Sequence, residues 1–129
     1  MRRPARHADA SRVRVLLADR EGGARVALAM LLRNTPGVML AGVAGSRAEI
    51  AAAIRATRPD VVVVDDRLVD DVDGHVLAGP GPTRGRVRVI VVGVDDDPAF
   101  AARAHRLGAE AWIRKDLADE QLPVLLDVR

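Results

Sequence analysis

Short apolar runs recur along this 129-residue chain, and polar or amphipathic stretches separate them. The pattern predicts strands over Val13–Ala18, Val38–Val43, Val61–Val64, Val87–Val94 and Ala111–Arg114. Val61–Val64 is four consecutive valines, and β-branched side chains on both sides suit a strand covered on both faces. Between the strands the period lengthens. From about Ala24 to Arg33, Val26, Ala27, Leu28, Met30, Leu31 and Leu32 make one broad apolar helical face, which Asn34-Thr35-Pro36-Gly37 ends. Ser46-Arg47-Ala48-Glu49 reads as a capping box: the Ser46 hydroxyl accepts the Glu49 N–H, and the Glu49 carboxylate reaches back to the Ser46 N–H. The helix that follows runs to about Thr57 and is stopped by Pro59. Asp97-Pro98 starts another helix, which reaches Leu107 with Gly108 at its C′ position. A last helix begins at Asp119 and ends near Arg129, with Pro123 close to its start or else kinking it.

Asp65–Gly74 is acidic and loop-like. His75–Ala78 accommodates one helical turn, and Gly79-Pro80-Gly81-Pro82 forbids a long one. The element order is therefore βαβαβ(α)βαβα. Strands alternating with helices imply an α/β fold with a parallel sheet and right-handed crossovers. Met1 to Arg12 is basic and aperiodic, and is expected to be a mobile arm before a single domain over residues 13–129.

Composition narrows the picture. One tryptophan, one phenylalanine and no tyrosine leave the core to valine, leucine, isoleucine and alanine. No cysteine is present, which excludes disulfides and thiolate metal sites. All but one of the 20 lysine and arginine residues are arginine, the exception being Lys115, and the Ala/Arg/Val/Gly richness suggests a bacterial source. No apolar run approaches the ~20 residues that span a bilayer, and the arm has no apolar signal-peptide core. A cytoplasmic protein without membrane contact is the expectation. The net charge of +2 is not gathered into a stripe outside the arm, so it argues weakly for nucleic acid.

The charged residues that carry chemistry follow the strands. Asp19 follows the first, Asp65 the third and Lys115 the fifth. Groups at the carboxyl ends of parallel strands share one crevice, so these three are expected to converge. Two carboxylates and a lysine there suit a cation or a phosphoryl group. The plainer reading of Asp65 is a loop carboxylate capping a turn. For Asp95-Asp96-Asp97 it is a solvated loop and helix cap, and His7, His75 and His105 show no ligand spacing.

Taken in order, Val13–Asp19, Arg58–Asp65, Asp73-Gly74, Val89–Val92 and Leu107–Asp116 resemble the receiver domain of bacterial response regulators, of the type found in LuxR-family regulators. The resemblance spans nearly the whole chain. It implies a doubly wound five-stranded sheet in order 2-1-3-4-5, with the third helix short or absent here. It also implies that Asp65 is the acceptor of a phosphoryl group from a histidine kinase and that Lys115 pairs with that group. Mg²⁺, if bound, would lie on Asp19, Asp65 and the Arg67 backbone carbonyl. The switch positions are Gly93 and Trp112, although core filler is the plainer reading of Trp112. The family's usual contacts imply a homodimer through the face made by Pro98–Leu107, Ala111–Arg114 and the last helix.

Several residues depart from the family pattern. Arg20 stands where the family has a second acid, and a guanidinium there opposes Mg²⁺ and is expected to pair with Asp65 as a fixed cation. Gly93 replaces a Ser or Thr whose hydroxyl contacts the phosphoryl group. Val94 replaces a smaller alanine, Val69 stands in place of a common proline, and Asp70-Asp71 adds a residue and charge. Glu21 would replace the lost acid only with a rearranged turn, and that rescue is not favoured. Asp19 is equally well read as a metal ligand or as a structural partner of Arg20 or Lys115. The expectation is an atypical, stand-alone receiver, not an enzyme, that works largely through protein contacts. A conventional Mg²⁺-dependent phosphoacceptor is the alternative. Phosphate hydrolysis in the same crevice is disfavoured by the incomplete acid pair. No helix-turn-helix follows the fifth strand, so direct DNA binding is not expected.

Overall fold

The structure is a computed structural model and describes residues 12–20, 22–69, 87–94 and 98–127. The arm before Arg12, Glu21, the Gly/Pro stretch, His75–Ala78, Asp70-Asp71 and Asp95-Asp96-Asp97 lie outside the described residues.

Five strands form one parallel sheet in the order β2-β1-β3-β4-β5. They are β1 (Val13–Ala18), β2 (Val38–Ala44), β3 (Val61–Asp65), β4 (Arg88–Gly93) and β5 (Ala111–Arg114). The helices are α1 (Gly22–Arg33), α2 (Arg47–Thr57), the four-residue α3 (Asp66–Val69), α4 (Pro98–Leu107) and α5 (Ala118–Leu125). A 3₁₀ turn, Lys115–Leu117, links β5 to α5.

Alternation along the strands builds two cores. Val15, Leu17, Val61, Val63, Ile90 and Val92 face α1 and α5, where Leu28, Leu32 and Leu122 meet them. Leu16, Val62, Val64 and Val91 face α2, α3 and α4, against Ile50, Ile54, Leu68 and Phe100. All four valines of β3 are fully buried, as a strand covered on both faces requires. Strand β2 adjusts to this plan with a register shift opposite Val15/Leu16. The extra residue reverses its side-chain parity, so Val38 joins the first core and Ala44 the second.

Several local expectations need correction. The start of the acidic Asp65–Gly74 segment is not loop: Asp65 closes β3, and Asp66–Val69 is helical because Leu68 and Val69 bury against the second core. Strand β4 is one residue shorter at each end than Val87–Val94. The last helix starts one residue before Asp119 and ends at Leu125, with Pro123 inside it two residues from the end. A proline there removes one helical donor, and the helix stops within the same turn. The Ser46 hydroxyl does accept the Glu49 N–H, at 3.2 Å, but Glu49 Oε1 takes the Gly45 N–H, at 2.7 Å, and not that of Ser46. Gly108, at φ +84°, ends α4 in the left-handed conformation its position requires.

Candidate functional site

The crevice lies at the carboxyl ends of β1, β3 and β5. The Asp19 backbone is held by its N–H, which donates to the Ala44 carbonyl at 2.9 Å and so fixes the end of β1 to the end of β2. Asp65 is the last residue of β3 and lies opposite Val92 of β4. Lys115 opens the 3₁₀ turn after β5, so its side chain starts at the sheet's edge and runs inward.

The three side chains meet. Lys115 Nζ lies 3.0 Å from Asp19 Oδ2 and 3.5 Å from Asp65 Oδ1, bridging two carboxylates that are both fully buried. A fourth group joins them: Arg67 Nε lies 3.3 Å from Asp65 Oδ2. The α3 turn brings this about, because it folds residue 67 back over the strand end, where the Arg67 backbone N–H also donates to the Asp65 carboxylate. The guanidinium beside Asp65 is therefore that of Arg67 and not, as expected, that of Arg20. Asp65 Oδ1 is buried and has no hydrogen-bond donor, only the lysine charge at 3.5 Å. Burial pushes the Asp65 carboxyl above its ordinary value, and the Asp19 charge adds to that shift. Lys115 and Arg67 oppose it without cancelling it.

Among the described residues, the donor set does not fit a divalent cation. Mg²⁺ wants oxygen ligands and a surplus of negative charge. Here two carboxylates face two cations, Lys115 and Arg67, and residue 20 beside Asp19 is an arginine. Among the described residues, no group of three His, Cys, Asp or Glu side chains comes together. Arg67 enters the site through its side chain and its backbone N–H.

The switch positions lie to one side of the crevice. Gly93 ends β4 and pairs in register with Arg114. A Cβ on Gly93 would lie 2.9 Å from Cζ of Phe100, whose ring is fully buried against that backbone. Trp112 is 45 % exposed and presents an edge-on contact to Phe100, with ring centroids 5.1 Å apart. Phe100 thus stands between the two switch positions. Asp66, the neighbour of Asp65, faces away from the crevice and pairs with Arg103 of α4.

No family model matches the chain. It superposes on the signal receiver domain of the response regulator NarL from Mycobacterium tuberculosis with a TM-score of 0.74 and 25 % identity, covering 89 % of this chain and 93 % of that one. Its fold and strand order are those of a response-regulator receiver domain. The receiver also matches the response regulator domain of Thermotoga maritima CheB, with a TM-score of 0.68 and 22 % identity over 89 % of this chain and 90 % of that one. A curated relative is the protein-glutamate methylesterase/protein-glutamine glutaminase 2 of Anaeromyxobacter dehalogenans, 33 % identical over 110 residues. That match covers 85 % of the receiver but 32 % of the relative, so the receiver spans about a third of that protein's length. The enzymatic activities in its name belong to that longer protein. Among the receiver's described residues, no helix is long and apolar enough to cross a membrane.

Two contributors escaped the residue-level reading. The Arg67 side chain was hidden because it depends on the α3 turn. Phe100 was hidden because its value lies in filling the space a glycine leaves. The available signals were an arginine two residues beyond Asp65 and the chain's single phenylalanine in the helix after Gly93.

Proposed function

We propose that this receiver serves two-component signalling chiefly through protein–protein contacts, with its acceptor crevice held in an internally paired, charge-neutral state. One observation carries the reading. Lys115 bridges Asp19 and Asp65 at 3.0 and 3.5 Å while Arg67 occupies the second oxygen of Asp65. Phosphoryl transfer to a carboxylate depends on positioning and on cations that neutralise the incoming charge. In this crevice the cations are protein side chains, and they are already engaged with the carboxylates. Gly93 offers no hydroxyl to bind a phosphoryl group or to carry its effect into β4. The partners are a histidine kinase or another signalling protein, and a second copy of the receiver through the face formed by α4, β5 and α5.

A second reading rests on a separate observation. Asp65 Oδ1 is buried without a donor, which is the arrangement of an oxygen kept available as a nucleophile. In that reading the receiver accepts a phosphoryl group at Asp65 and Lys115 shifts from the carboxylates to the group.

Incubation with Mg²⁺ and a small-molecule phosphodonor separates the two. The expected result is no phosphoryl mass addition on the intact protein under conditions that label an ordinary receiver. Labelling that Asp65→Asn abolishes would establish the second reading instead.

A further inference from the structure

Two contacts of helix α4 lie on one face, beside the buried Ala104 that also anchors the helix in the second core. The first is Phe100. Its Cζ, Cε1 and Cε2 atoms lie 2.9, 3.1 and 3.1 Å from where a Cβ on Gly93 would be, so the ring fills the notch the glycine leaves. The second is Arg103, one turn further along. Its Nε lies 3.0 Å from Asp66 Oδ1 and its Nη2 lies 2.5 Å from Asp66 Oδ2. This is a two-pronged fork on a carboxylate, the strongest geometry for such a pair. Both side chains are largely covered, at 24 % and 16 % exposure, so solvent screens the pair less than a surface ion pair.

We infer that the Asp66–Arg103 fork is a latch that holds α4 against the end of β3 and seats Phe100 in the Gly93 notch. The position of the α4–β5 surface is then set by an ion pair at the residue next to Asp65. Residues three apart share a helix face, so Phe100 cannot leave the notch by rotation or lifting of α4 without breaking the fork. Trp112 leans on the Phe100 edge and extends the coupling to the exposed surface. A change in the backbone at Asp65 would pull directly on Asp66. The inference holds whether or not Asp65 takes a phosphoryl group.

Trp112 is the chain's only tryptophan, so its fluorescence reports where Phe100 sits. Asp66→Asn and Arg103→Gln are each expected to shift Trp112 emission, raise its quenching by acrylamide, and speed α4 amide exchange by roughly fivefold to tenfold, the scale set by removing one partner of a covered charged pair. The double variant should fall short of the sum of the two single ones, because both act through the one fork. Gly93→Ala should move Trp112 emission in the same direction with the fork intact, by pushing the ring out. The latch is overturned if the single variants keep native far-UV dichroism yet leave emission and α4 exchange unchanged, or if their effects add. Should Asp66→Asn not fold, Arg103→Lys keeps the charge but loses the fork. Faster α4 exchange in that variant supports the latch, and exchange at the wild-type rate overturns it.

Discussion

Burying Asp65 beside Asp19 has an energetic cost that appears in its affinity for protons. Its carboxyl is raised above the ordinary 3.8, first by burial and then by Asp19, despite Lys115 and Arg67. In the window between 3.8 and the raised value the folded state binds more protons than the unfolded one, so stability falls as pH rises through it. The penalty is complete above the window and absent below it. Asp65→Asn is therefore expected to raise Tm near neutral pH, by roughly 4 °C for each kcal/mol relieved in a domain of this size. The gain should disappear on the acid side of the window, and calorimetric Tm values on the two sides check this. The convergence of Asp19, Asp65 and Lys115 was legible in the sequence because each follows a strand that apolar runs identify unaided. The Arg67 contact was not, because a chain trace that treats residues 66–69 as loop sends that side chain elsewhere.

Elements are joined at the opposite end of the sheet by a clamp. Arg88, at the start of β4, donates Nε to Glu110 Oε1 at 2.8 Å and Nη2 to Glu110 Oε2 at 2.7 Å. The same Nη2 donates to the Leu125 carbonyl at 2.7 Å, which ties in the end of α5. The hydrogen bonds from Arg88 hold the Glu110 carboxyl below its ordinary 4.5. The pair's contribution is therefore present above that pH and is lost as pH falls through the depressed value. Both side chains are more than a third exposed, so the contribution is small. Glu110→Gln should lower the urea midpoint by an amount equivalent to less than about 1 kcal/mol, and the difference from wild type should vanish in acid. At this scale the strands were read nearly to the residue, since alternation and β-branching mark them. Helix α3 was missed because its first two residues are charged and only two of its four side chains are buried. The 3₁₀ entry to α5 left no periodic trace.

For the molecule as a whole, the sheet divides the hydrophobic interior into two layers that share no residue among those described. Each layer is closed by different helices, so a cavity on one side cannot be filled from the other. Leu16 is fully buried in the layer covered by α2, α3 and α4. Leu16→Ala is expected to cost about 2–5 kcal/mol in chemical denaturation, with no change in Trp112 emission below the transition. Strand order followed from element order together with the family resemblance. Pattern alone identifies a parallel sheet without saying which strand lies in the middle.

Lys115 is the only lysine in the chain, is 14 % exposed, and points into the crevice. Reagents that acylate side-chain amines therefore have one target in this receiver, and it is the residue that holds Asp19 and Asp65 together. A sensor surface that captures the protein through that amine captures it by its crevice. Such a surface would report partners of the α4–β5 side faithfully and be blind to anything that enters at Asp65.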